Sequence, residues 1–333
     1  MRGKRLFIQW RAILAILAVT LFASSTCIGG TADQVVHNFA LNGKDGVTPE
    51  GGLVVDSGGN LYGTTAQGGR FGGGTLFTLI PPPAGIAWTE KVLHDFANDG
   101  VDGLNPYASL IFDAAEGNLF GTTLAGGTQG MGTVFELKHL AAGGWKEKVL
   151  YSFKNDGKDG ANPRAALVFD TAGNLYGTTY SGGAGFGIVF ELSPAGGGVW
   201  TEKILHKFRN NGTDGINPVA GLVLDVSGNL YGTTPAGGSF GFGTVFELTQ
   251  TAGEWKERLL HKFKNDGIDG INPYAGVIFD FGGVNLYGTT YGGGSPGFGT
   301  VFELSPTAGG SWKETMLHKF KNDGKDGLIR KVV

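Results

Sequence analysis

Gly59-Asn60-Leu61-Tyr62-Gly63-Thr64-Thr65 reads GNLYGTT, and its core returns at Asn118 (as NLFGTT), Asn174, Asn229 and Asn285. The spacings are 58, 56, 55 and 56 residues, so the chain is first of all a tandem array. Two further markers keep the same step. A loop of the form F-x-x-x-G-x-D-G starts at Phe39, Phe96, Phe153, Phe208, Phe263 and Phe320. Trp88, Trp145, Trp200, Trp255 and Trp312 share one repeat position.

One unit, read from Asn210 to Phe263, divides into short pieces. NNGTDGINP is a loop, because Asn, Asp and Gly supply turn conformations and Pro stops a helix. VAGLVLDV is a short β-branched run and predicts a buried strand a. SGN is a turn, and LYGTT is strand b. PAGGSFGFG is a glycine-rich loop. TVFELT alternates and is strand c. After the turn QTAGE, WKERLLHKF alternates apolar with charged residues, as an edge strand d should. Four antiparallel strands in a repeat of about 56 residues predict an all-β fold, a β-propeller of about five four-stranded blades. In that frame Asn and Gly make the a–b turn, and Leu and Tyr pack between blades. Gly63 and its counterparts admit a second backbone.

The array opens with VVHNF (Val35 to Phe39), which matches the end of a strand d, and then runs through five complete units. There is thus one d strand too many. The first reading is that Val35–Phe39 closes the last blade of a five-blade ring. An open array is the other.

Composition sets the outer limits. Glycine makes up 62 of 333 residues and charged residues only 17%, yet 41% are hydrophobic. This fits many short elements joined by tight turns rather than disorder. Residues 1–32 carry a basic start (MRGKR), an apolar run from Ala12 to Ala23 and small residues up to Ala32. They read as a secretory signal peptide, the apolar run being short for a membrane span. The domains expected are the signal peptide at 1–32, the propeller at 33–320, and a partial repeat with a tail at 321–333. Cys27 is the only cysteine, so a chain cleaved after Ala32 has no disulfide and no thiol chemistry. That chain keeps 22 basic against 29 acidic residues, which argues against a nucleic-acid partner. We expect it to be secreted and monomeric, with no membrane span after cleavage.

The repeat resembles the Gloeo/Verruco (GloVer) tandem repeat of bacterial choice-of-anchor proteins. The resemblance rests on GNLYGTT, the following G-G-x-x-G-F-G-T-V-F-E-L and the closing W-x-E-K-x-L-H-x-F, and covers about residues 34–327. It implies a secreted, often surface-anchored bacterial protein and names no activity. The sorting segment that often ends such proteins, a hydrophobic span followed by basic residues, is not seen in GLIRKVV.

On a propeller the d–a and b–c loops share one face, the usual place for binding. The acidic d–a loops place oxygen donors at alternate positions, as in Asn155–Gly160 (NDGKDG). They predict either Asx-turns or a calcium site built on Asp102, Asn155, Asp159, Asp214 and Asp269, although Gly157 stands where a calcium loop has a ligand. Apart from calcium, these residues imply no cofactor. His37, His94, His206, His261 and His318 recur in L-H-x-F, with Tyr151 in their place once. Spread along a rim they are too far apart to share a metal, and they read as structural. The periodic Trp residues read as core packing. Phe71, Met131, Phe186, Phe242 and Phe298 in the b–c loops are the candidate partner contacts. The sequence has no G-x-S-x-G, H-E-x-x-H or P-loop, and no acid–base pair outside the repeat, so no catalytic residue is assigned. The expected function is non-catalytic binding of a glycan or a cell-surface protein. A propeller lyase or glycan hydrolase and a purely structural array are the alternatives.

Overall fold

Each repeat begins its sheet with a carboxylate that ties down a turn. In the third repeat Asp170 ends a short strand a, and its Oδ1 accepts the backbone N–H groups of Ala172 (2.8 Å) and Asn174 (2.9 Å). Its Oδ2 accepts the Asn174 side-chain amide (2.8 Å) and the Tyr176 hydroxyl (3.1 Å). One aspartate thus fixes the Asn and the Tyr of the repeated motif, and the chain reverses into strand b.

A computed structural model describes residues 35–40, 42–83, 87–154, 156–323 and 326. The chain divides into two units, Met1–Asn38 and Phe39–Val333. The described residues of the first form no helix or strand, and the signal peptide expected at 1–32 lies outside the described residues. The described residues of the second unit form five blades. In blade 3, strand a (Val168–Phe169), b (Leu175–Thr179), c (Ile188–Pro194) and d (Trp200–Lys207) pair antiparallel in that order. The same order holds in blade 1 (Val54–Val55, Leu61–Thr65, Thr75–Ile80, Thr89–Asp95) and blade 2 (Ile111–Phe112, Asn118–Thr123, Thr133–His139, Trp145–Ser152). It holds again in blade 4 (Val223–Leu224, Leu230–Thr234, Thr244–Thr251, Glu254–Lys262) and blade 5 (Ile278–Phe279, Leu286–Thr290, Thr300–Pro306, Trp312–Lys319). The protein is an all-β propeller of five such sheets.

Two features depart from expectation. Residues 35–40 form no strand, and Trp312–Lys319 is the ordinary strand d of blade 5, so each blade takes all four strands from its own repeat. The exchange of an N-terminal strand into the last blade is therefore not seen. In addition, each d–a loop pairs with the start of the b–c loop of the following blade as a two-residue ladder, for example Gly160–Ala161 with Ser181–Gly182. Sequence patterning could not show pairs this short.

The rest of the motif follows from the pleat. Leu175 and Tyr176 point to opposite faces, and both are buried. Gly177 faces Phe190 across the b–c ladder, and a Cβ there would lie 2.6 Å from the ring's Cζ. The glycine therefore makes room for a phenyl ring of its own blade, not for a second backbone as the sequence suggested. Phe77, Phe135, Phe246 and Phe302 repeat the arrangement over Gly63, Gly121, Gly232 and Gly288. Thr178 donates to the carbonyl of Ala220 in the next repeat (3.4 Å), as Thr64, Thr122 and Thr233 do to Ala108, Ala165 and Ala275.

The core lies between blades. At the 4–5 junction Tyr231, Val245, Leu260 and Phe263 of blade 4 close on Val277, Leu286, Phe302 and Leu304 of blade 5. The Phe after each strand d sets its ring edge-to-face on the Phe of the next strand c, with centroids 5.2 Å apart for Phe153–Phe190 and 5.3 Å for Phe263–Phe302. The periodic Trp joins the same seam: Trp145 lies against Tyr62 of the preceding blade at 5.9 Å. Phe39 makes the same edge-to-face contact on Phe77 of blade 1 at 5.1 Å, yet on the outer faces of blades 1 and 5 Leu53, Val55, Ile278 and Leu317 are all about half exposed or more.

Candidate functional site

The d–a loop is built on two carboxyl or amide side chains. The first is exposed and makes an Asx-turn: Asp156 Oδ1 accepts the N–H groups of Lys158 and Asp159, both at 2.9 Å. These donors hold the Asp156 carboxyl below its ordinary range, as they do for Asp99 and Asp266. The second side chain is buried and turned inward. Asp159 Oδ1 accepts the N–H of Gly160, and its Oδ2 accepts the N–H of Lys154 (3.0 Å) and the Tyr151 hydroxyl (2.9 Å). Asp102, Asp214 and Asp269 occupy the same buried position, and their Oδ2 atoms accept the N–H groups of Ala97, Arg209 and Lys264. Four of the five residues proposed for calcium thus share one structural place, and Asn155 lies outside the described residues.

The structure brings to these aspartates two partners that the sequence did not connect with them. One is the periodic histidine. His94 Nε2 stands 3.0 Å from Asp102 Oδ2, His206 Nε2 3.3 Å from Asp214 Oδ2, and His261 Nε2 3.1 Å from Asp269 Oδ2. The other is the Glu two residues after the Trp of the next blade. Glu257 Oε1 lies 3.8 Å from His206 Nε2, and Glu314 Oε2 3.8 Å from His261 Nε2. Each cluster therefore takes its His and Asp from one blade and its Glu from the next. Burial opposes a charge on His94, but the Asp102 hydrogen bond and charge outweigh it and hold the imidazole above its ordinary value. Burial pushes the carboxyls of Glu147, Glu202, Glu257 and Glu314 up to about 7. The neighbouring aspartate adds to the rise in each case. His206 and His261 pull the last two the other way without cancelling it.

At the 2–3 junction Tyr151 takes the place of the histidine, so Glu202 reports a carboxyl alone. The folded chain keeps a proton there that the unfolded chain releases above about pH 4.5. Its contribution is present below that pH, falls as pH rises to about 7, and is constant beyond. Lys207 and Lys154 moderate the effect without reversing it. We expect Glu202→Gln to match wild type at pH 4.5 and to exceed it by about 1–2 kcal/mol at pH 8, allowing for solvent at the site. Denaturant titrations at the two pH values measure this. A difference that does not change with pH would refute it.

The five candidate contact residues of the b–c loops do not form one exposed set. Met131, Phe186 and Phe242 pack against the inter-blade clusters, Phe298 is half-buried, and Phe71 alone is exposed. The position two residues earlier in the loop is the outward one, as Phe240 shows. Where the ends of the d–a loops meet the starts of the b–c loops lie pairs that not every repeat shares. Arg164 stacks on Tyr180 at 4.6 Å, and Tyr274 meets Tyr291 edge-to-face at 5.7 Å. Arg70 covers Phe71, and Lys264 covers Phe240.

Among solved structures, the fold is similar to a putative 6-phosphogluconolactonase from Bacteroides uniformis (TM-score 0.52, 13% identity, 86% of this chain and 78% of that chain). A putative oxidoreductase (glucose dehydrogenase) from Thermus thermophilus matches at 0.46 with 15% identity, over 83% of this chain and 86% of that one. A family 43 endo-arabinanase from Bacillus licheniformis matches at 0.41 with 11% identity, over 81% and 98%. At these identities the likeness concerns the fold and not the chemistry. A comparison with curated protein sequences gave no match. The model of the Gloeobacter/Verrucomicrobia repeat matches residues 20–184 and again 139–331. With repeat, blade and junction in agreement along that length, the chain belongs to the Gloeobacter/Verrucomicrobia repeat family.

Proposed function

We propose that this is a secreted, non-catalytic propeller whose loop face binds a glycan on a cell or matrix surface. The observation that carries the reading is the set of aromatic and cationic pairs on that face. Arg164–Tyr180 and Tyr274–Tyr291 interrupt an otherwise regular repeat, and Phe71, Phe240 and Tyr291 are each about half exposed. Aromatic rings stack on the apolar faces of sugars, and a neighbouring guanidinium donates to hydroxyl or carboxylate oxygens. The titratable clusters recur from junction to junction instead of meeting at one spot, which supports a binding role over catalysis. Secretion rests on the signal-like residues 1–32.

A glycan array probed with the purified protein tests the reading. Tyr180→Ala and Tyr291→Ala should each weaken the best ligand about tenfold or more, on the scale of a lost stacking contact. Binding that survives both substitutions would refute this face as the site. Capture of a surface protein in place of any glycan would move the function to that partner. Release of reducing sugar from a bound polysaccharide would restore the enzyme alternative.

A further inference from the structure

We propose that the His–Asp–Glu clusters at the 1–2, 3–4 and 4–5 junctions bind a divalent transition metal of the zinc type and so cross-link consecutive blades. The clusters are His94–Asp102–Glu147, His206–Asp214–Glu257 and His261–Asp269–Glu314, and within each the three donor atoms lie within 4.8 Å of one another. A tetrahedral zinc with bonds of about 2.0–2.1 Å spaces its ligand atoms about 3.3 Å apart. The His206 Nε2 to Asp214 Oδ2 separation is 3.3 Å, and that to Glu257 Oε1 is 3.8 Å. At the 4–5 junction the same separations are 3.1 Å and 3.8 Å. At these two junctions the separations from the imidazole nitrogen are therefore near the tetrahedral spacing, and the carboxylate pair, within 4.8 Å, can close to it by side-chain rotation.

The donor chemistry selects the ion. One imidazole nitrogen with two carboxylates is a mixed nitrogen and oxygen set, which suits zinc and its neighbours. Calcium takes six to eight oxygens at about 2.3–2.6 Å, and these clusters offer two carboxylates beside an imidazole. The glutamates also have an atom to spare: Oε1 of Glu147, Glu257 and Glu314 is shielded from solvent and accepts no hydrogen bond. At the 3–4 junction the cluster opens on a cavity of about 790 Å³ whose wall includes Asn211 and Thr213. A water or a ligand oxygen can reach the fourth corner from there. Because His and Asp come from one blade and Glu from the next, a bound ion would join the blades across their seam.

The chain carries its own control. At the 2–3 junction Tyr151 donates to Asp159 Oδ2 at 2.9 Å, and Glu202 completes the same frame without an imidazole. Protein dialysed against a chelator should be titrated with zinc by calorimetry, and with cobalt followed by the visible bands of a tetrahedral site. His206→Phe and His261→Phe should each remove one equivalent of metal, and His94, His206 and His261→Phe together should remove three. Tyr151→His should add one equivalent, a gain that does not depend on a weakened variant folding. Zinc should also raise the melting temperature of the wild type and raise that of the triple variant less. An unchanged stoichiometry in the triple variant, or no gain with Tyr151→His, overturns the proposal. So does stabilisation by calcium and not by zinc, which would return the loops to the calcium reading.

Discussion

Phe190→Ala lowers the stability of the array by about 3–5 kcal/mol, the cost of emptying a fully buried aromatic site. Phe190 is shielded from solvent on both sides, by Phe153 of the preceding repeat on one and by Gly177 of its own strand b on the other. The glycine and the ring form one unit, so their substitutions should not add. A Cβ on Gly177 meets Phe190 Cζ at 2.6 Å and Leu167 Cδ2 at 2.9 Å, and Gly177→Ala alone should cost about 1–3 kcal/mol by overpacking. Phe190→Leu removes the obstructing ring atoms. In that background the alanine should cost less by about 1 kcal/mol or more. Urea unfolding of the four variants measures the coupling. Additive costs would mean that the glycine is needed for something other than the ring. Because each repeat contacts only its neighbours, the loss should also appear as earlier melting of blades 2 and 3 rather than as a uniform shift.

That pairing shows what a repeated sequence reveals and what it hides. The blades were legible because period-2 strands, Asx turns and a step near 56 residues agree at every level. The glycine was legible as a close approach, but not what approaches it, because Gly177 and Phe190 meet only once the b–c register is known. The junction clusters were hidden for a related reason. Scanning within one repeat sets His206 beside Asp214, eight positions on, and leaves Glu257 more than fifty residues away. The periodicity sets the histidines against one another, one per repeat, and gives none of them a partner in the next repeat. The relevant comparison was His of one blade with Glu of the next, and the near-invariant step between blades was the signal that could have paired them. The b–c loops present a different difficulty. A glycine-rich loop allows either of two aromatic positions to face outward, and only backbone direction decides that Phe240 is exposed and Phe242 packs inward.

Asp159→Ala should cost about 3 kcal/mol or more, and Asp156→Ala clearly less, although the two aspartates sit three residues apart in one acidic loop. Asp156 accepts two backbone N–H groups at the surface, and water replaces it in the variant. Asp159 is 5% exposed and receives the N–H of Lys154, the N–H of Gly160 and the hydroxyl of Tyr151. Its removal leaves these donors without an acceptor in a place that water reaches poorly. Asp159→Asn should fall between the two, since one amide oxygen replaces two carboxylate oxygens and the amide nitrogen faces donors. Tyr151→Phe in the Asp159→Ala background should recover part of the loss by removing one stranded hydroxyl. Thermal and denaturant unfolding rank the variants. Equal costs for Asp156→Ala and Asp159→Ala would mean that turn formation alone governs the loop, and that the buried carboxylate has no further part in joining the blades. The expected inequality makes the inner aspartate the hinge of the repeat: it ends one blade, starts the next, and holds the side chain, histidine or tyrosine, against which the following glutamate is set.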